Sequence, residues 1–200
     1  MISARGLGKR YGDRWVFRGA SFDLDRRPAV FVGPNGSGKT TLLKILSLAL
    51  EPTEGELRLF GMSREEAAAR LRGRVLYAHQ EPVVFRGTVR QNVALCGDVD
   101  WEVVEALGLA PVLDQKAHLL SSGWKKLVTV ARVAACRPIA AFFDEPTAFL
   151  DRDKREAVYA VLEMLWRRGA LVAWSTHYPP EADRAEEAYE VIDGVVRKIR

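Results

Sequence analysis

The chain has 200 residues, 48% of them hydrophobic and 28% charged, with a formal net charge of +4. That length and balance fit one folded domain, with room for a small inserted subdomain, and exclude a disordered or low-complexity chain. No run approaches the roughly 18 uninterrupted apolar residues of a membrane helix, and the first residues carry no apolar signal-peptide core. The basic residues are scattered, so no dedicated nucleic-acid face is indicated, and a soluble cytoplasmic chain is expected. Cys96 and Cys136 are the only cysteines; lying in apolar surroundings, they read as two buried, reduced thiols and not as a disulfide or zinc pattern.

Along the chain, Ile2 to Asp25 alternates apolar and polar residues, with turn signals at Tyr11-Gly12-Asp13, and predicts antiparallel strands. Ala29 to Val32 is a wholly apolar run that predicts a buried strand. Next comes Gly33-Pro34-Asn35-Gly36-Ser37-Gly38-Lys39-Thr40-Thr41, which fits the phosphate-binding pattern G-x-x-x-x-G-K-[ST]. Small residues let the backbone fold tightly, so successive N–H groups can face phosphate oxygens. From Thr41 to Leu48 apolar residues recur at helical spacing, and a helix N-terminus there favours an anion. In such a loop Lys39 supplies charge for the outer phosphates, and the Thr40 hydroxyl is suited to ligate Mg²⁺.

Glu54 to Gly61 predicts a further strand, Ser63 with Glu66 a capping box, and Arg74 to His79 another strand. The stretch from about Glu81 to Ala135 lacks strand patterning. It carries a second capping box at Thr88 and Gln91 and helical segments over Trp101–Leu107 and Ser121–Cys136. Ile139 to Phe143 is a wholly apolar run, as in a strand buried on both faces. A helix over Asp153–Arg168 ended by Gly169, a strand over Ala170–Ser175 and a hairpin around Asp193-Gly194 complete the chain. Strands alternating with helices imply an α/β parallel core.

The apolar run ends in Asp144-Glu145, placing two carboxylates at the carboxyl end of a strand, where ligands bind in open α/β sheets. Neighbouring strand side chains point to opposite faces, so the two acids should differ in role. Asp144 can hold Mg²⁺ or its waters, and Glu145 can orient a water that attacks a γ-phosphate.

Leu120-Ser121-Ser122-Gly123-Trp124 stands upstream of this pair, followed by a helical run from Lys125 to Arg132. These motifs together resemble the nucleotide-binding domain of an ATP-binding cassette (ABC) protein, whose signature reads L-S-G-G-Q, and the resemblance covers essentially the whole chain. It implies a P-loop NTPase fold with a RecA-like parallel core, an antiparallel β subdomain and an inserted α-helical subdomain. All of residues 1–200 would form one ABC ATPase domain, with about 1–80 and 136–200 as the core and about 81–135 as the helical part. By the same resemblance Tyr11 stacks on adenine, and Gln80 touches Mg²⁺ and the attacking water. Ala148-Phe149-Leu150-Asp151 matches the D-loop, although Asp151 also reads as a simple helix cap, and His177 matches the switch histidine at the γ-phosphate. Ser121 and Gly123 would complete the site of a partner chain. His79 and His118 match no motif and read as structural.

Two positions depart from the family pattern: Ser122 replaces the first signature glycine, and Trp124 the glutamine. They put rate and affinity in question more than function; Phe149 is a candidate neighbour of Trp124 across a dimer seam. The resemblance implies ATP and Mg²⁺ as cofactors, a second copy of the chain, and a separate integral-membrane permease. A solute-binding protein would join them if the system is an importer. Val84 and Phe85 are candidate permease contacts, or else core residues. The chain would lie on the inner face of the cell membrane through its permease. The alternative is a soluble ABC ATPase acting on nucleic acid or ribosomes, which the modest charge disfavours; no nucleic-acid partner is expected.

Overall fold

The computed structural model describes residues 1–200. The alternating opening segment forms β1 (Ile2–Tyr11) and β2 (Arg14–Leu24), an antiparallel pair turning at Gly12-Asp13. With β4 (Glu54–Leu59) and the short β5 (Met62–Ser63) they make an antiparallel sheet in the order β2-β1-β4-β5.

The apolar runs make a second sheet from β3 (Ala29–Val32), β6 (Val75–Ala78), β7 (Ala140–Asp144), β8 (Leu171–Thr176), β9 (Glu187–Ile192) and β10 (Val195–Lys198). Its order is β10-β9-β3-β8-β7-β6, and every pairing is parallel except the β9–β10 hairpin. The two-residue side-chain period divides the residues of these strands between two cores. Phe31, Phe142, Leu171 and Ala173 pack with α1 (Lys39–Leu46) and the antiparallel sheet. Val30, Phe143, Val172 and Trp174 pack on the other side, with α5 (Ser122–Ala134) and α6 (Arg152–Arg167). Burial on both faces explains why these strands read as continuous apolar runs.

Both predicted capping boxes form. Ser63 starts α2 (Arg64–Arg70) and Thr88 starts α3 (Val89–Val93), each exchanging hydrogen bonds with the residue three positions on. Between β6 and β7 the chain is helical: α3, α4 (Trp101–Ala106), α5 and three short 3₁₀ turns. Val84 packs against this helical core, whereas Val83 and Phe85 are exposed.

The cysteines correct the expectation of free, buried thiols. Cys96 is exposed, Cys136 is half-buried, and the two are joined in a disulfide with their Cα atoms 5.8 Å apart. The pairing follows from packing: α3 and α5 lie against each other, which brings the turn after one beside the end of the other. The bond closes a loop of 40 residues in sequence separation, which on chain-entropy grounds contributes about 4 kcal/mol. Reduction by dithiothreitol should therefore lower the thermal midpoint by about 10 °C in calorimetry; an unchanged midpoint after complete reduction would count against it.

Candidate active site

The phosphate-loop motif connects β3 to α1, and two glycines show why its sequence is so restricted. A side chain at Gly33 would sit 2.1 Å from the Val191 carbonyl oxygen, inside the β9 backbone. Gly38 caps α1 at φ 104°, a conformation that side chains rarely adopt. The loop borders an open cleft of about 580 Å³ lined by Tyr11, Asn35, Gly36, Lys39, Gln80 and Glu145, among others. Gly38, Thr40 and Thr41 line the same cleft. Pro34 and Ser37 line an adjoining cavity that Asn35 and Gly36 also border. Tyr11 is 54% exposed at the mouth, opposite Arg14 on the β1–β2 hairpin.

Lys39 is buried and donates to the carbonyls of Gly33 at 2.7 Å and Pro34 at 2.9 Å. Burial pulls its pKa below the usual lysine value, while the charges of Glu145 and Asp144 oppose that pull. The Ser37 hydroxyl is buried without a partner. An unpaired donor beside a cationic loop fits an anionic ligand that the protein itself does not supply.

At the end of β7 the two acids occupy different surroundings. Asp144 is 1% exposed, and its two oxygens accept from Tyr77 Oη at 2.8 Å and from Ser175 Oγ. Burial and the Asp144 charge push the Tyr77 phenol up, so it stays protonated and donates. Glu145 sits at φ 45°, a left-handed backbone that costs a non-glycine residue about 1–3 kcal/mol. Its N–H donates to the same Ser175 Oγ at 3.1 Å. The turn swings the Glu145 carboxylate toward the cleft, where Oε2 accepts from Gln80 Nε2 at 3.3 Å and meets His177 Nδ1 at 2.9 Å. His177 thereby keeps Nε2 free for a ligand.

Lys126, on α5, is a buried cation that sequence reasoning passed over. Its Nζ donates to Gln80 O at 2.5 Å and lies 3.4 Å from Asp144 O. Burial pushes its pKa down to about 8, against the pull of the Asp144 and Glu145 charges. Two lysines in succession on a helix read as solvent-facing, and no periodic signal marked one as inward.

Ser121 and Gly123 are not among the residues lining the cleft. They stand at the N-terminus of α5, where Ser121 is the cap residue but its hydroxyl makes no capping bond. Trp124 is half-buried against the helical core with Lys154 Nζ 5.3 Å from its ring centre. Asp151 caps α6 by accepting from Lys154 N at 2.9 Å. Phe149 is 91% exposed at φ 64°.

A family model described as ABC transporter matches residues 17–148. The chain belongs to the ABC transporter family. It is an α/β P-loop ATPase, a cassette that binds and hydrolyses ATP. The lipoprotein-releasing system ATP-binding protein of Anaeromyxobacter dehalogenans is 34% identical to this cassette, over 82% of this chain and 76% of that one. The energy-coupling factor transporter ATP-binding protein of Symbiobacterium thermophilum is 35% identical, over 88% of this chain and 68% of that one. A dimeric ATP-binding cassette solved in a post-hydrolysis state with ADP and Pi has the same fold. It matches with a TM-score of 0.86 over 100% of this chain and 99% of that one, at 24% identity.

Ser175→Ala in this cassette would leave a buried carboxylate oxygen and the Glu145 N–H unpaired. The variant should lose about 1–3 kcal/mol in urea unfolding; an unchanged midpoint would contradict the hydroxyl's bridging role.

Proposed function

We propose that this cassette is the ATPase subunit of a membrane transporter whose permease is a separate chain, and that it works as a head-to-tail dimer. The observation that carries the hydrolytic reading is the Glu145 carboxylate, held at the cleft wall by Gln80 and His177 beside the phosphate loop. Residues 33–41 would bind the phosphates, with Lys39 exchanging its two backbone carbonyls for phosphate oxygens. Tyr11 would stack on the adenine from the cleft mouth. Glu145 would orient the attacking water, and His177 Nε2 would reach the γ-phosphate.

Thr40, Gln80 and Asp144 offer hydroxyl, amide and carboxylate oxygens, the hard donors that suit Mg²⁺. A carboxylate has about four lone-pair positions, so Asp144 keeps capacity beyond its two hydroxyl donors. When bound there, Mg²⁺ would offset charge on the outer phosphate oxygens. Burial of Asp144 keeps water from competing for it.

Ser121 and Gly123 are not among the residues lining their own cleft, and the Ser121 hydroxyl makes no capping bond, which supports their use on a partner's γ-phosphate. ATP touching both chains would stabilise the closed dimer, and hydrolysis would remove that differential contact. Residues 1–80 and 136–200 would act as the nucleotide core and 81–135 as the helical part facing the permease. No helix is long and apolar enough to cross a membrane, so spans would come from the permease, holding the cassette at the inner membrane face. A solute-binding protein would join the complex if it imports.

Glu145→Gln should cut kcat by about 100-fold or more while equilibrium dialysis still finds ATP bound at native affinity; undiminished turnover would sink the assignment. Tyr11→Ala should weaken ATP binding by about tenfold, as loss of one base–ring stack implies. Titration with a fluorescent ATP analogue checks it, and an unchanged Kd would remove Tyr11 from the base site.

A further inference from the structure

The Gln80 backbone opens the segment that carries the chain from β6 into the helical insertion, and one face of α5 grips that segment. Lys126 Nζ donates to Gln80 O at 2.5 Å. Thr129 Oγ1, three residues on, lies 3.5 Å from Val83 O. Arg132, three further on, donates to Val83 O, and its guanidinium lies 4.8 Å from the Phe85 ring centre. The spacing of these three residues places them on one side of the helix. From the opposite flank Asn92 holds the far end of the segment, accepting from Phe85 N at 2.7 Å and donating to Phe85 O at 3.1 Å.

Of the three α5 contacts, only Lys126 reaches the site. It is 4% exposed, and its second carbonyl contact is Asp144 at the end of the adjacent strand β7. A buried cation is costly unless it is well partnered, yet no carboxylate is bonded to this one; its hydrogen bonds go to two main-chain oxygens. An apolar side chain would fill the same space but would leave Gln80 O without this donor. The N-terminus of the same helix carries Ser121 and Gly123.

We infer that Lys126 is a positioning residue for hydrolysis: its ammonium ties α5 to Gln80, so that displacement of the signature end of the helix moves the glutamine that faces Glu145. The contact would let closure on a partner's nucleotide set the geometry of the chain's own site. The inference rests on the proposed role of Gln80 and adds the residue that couples it to the helical insertion.

The test is a double-mutant cycle on the full-length chain, using Lys126→Met, Gln80→Ala and the pair, with kcat at saturating ATP, the ATP Kd and amide exchange as readouts. Lys126→Met keeps the buried stem and removes only the donor. Its kcat should fall about tenfold with the Kd within about threefold of native. Amides of 80–85 should exchange faster while those of α5 stay protected. The double variant should be no slower than Gln80→Ala alone, because one residue acts through the other. A native kcat in folded Lys126→Met, or losses that add in the pair, would overturn the inference. If Lys126→Met does not fold, the cycle is read with Lys126→Gln, and failure of both to fold would show a purely structural post and overturn it too. Native turnover in Gln80→Ala would overturn this inference together with the role of Gln80; slow Gln80→Ala beside native Lys126→Met would remove the coupling alone.

Discussion

One hydroxyl organises the catalytic end of the central sheet. Ser175, on β8, donates to Asp144 at the end of β7 and accepts from the backbone N–H of Glu145, the next residue. The first bond gives a buried carboxylate oxygen a donor where water cannot reach it. The second holds Glu145 in a left-handed turn that it would not adopt unaided. Two adjacent acids are thereby sent to different tasks, one inward among hydroxyls and one outward to Gln80 and His177. Parallel pairing of β7 with β8, in register at Asp144 and Ser175, is what makes a single side chain able to do both.

How much of this was legible in the sequence follows from the range of each interaction. The phosphate loop, both capping boxes and the Asp151 cap depend on residues within a few positions, and their patterns survive in the linear chain. The strand ends could be read because burial on both faces leaves continuous apolar runs. Tyr77 could not be linked to Asp144, nor Ser175 to either acid, because those bonds depend on strand order and register. The disulfide was missed for a similar reason: Cys96 and Cys136 meet only because α3 and α5 pack together. Lys126 was passed over because a lysine following a lysine on a helix carries no inward signal.

The proposed signature contacts lie apart from the phosphate-loop cleft. Tyr11, Lys39, Thr40, Gln80 and Glu145 gather at one cleft, and His177 joins through Glu145. Ser121 and Gly123, proposed as γ-phosphate contacts, are outside it at the tip of α5. The Trp124 departure is accommodated within the chain, its ring covered by Lys154 and packed on the helical core, so the loss of the family glutamine leaves the helix start intact. Phe149 stands exposed nearby on a strained backbone and is proposed to lie at the seam between copies.

Mixing two inactive chains tests most directly whether one copy's signature completes the other's site. Lys39→Ala removes the phosphate charge from one chain, and Ser121→Arg blocks the signature of the other. In a head-to-tail dimer of the two, one composite site keeps both native halves. ATPase activity should therefore reappear on mixing at concentrations that permit dimers, while each variant alone stays inactive. A mixture no more active than its parts, under conditions where the native chain turns over, would contradict a shared site.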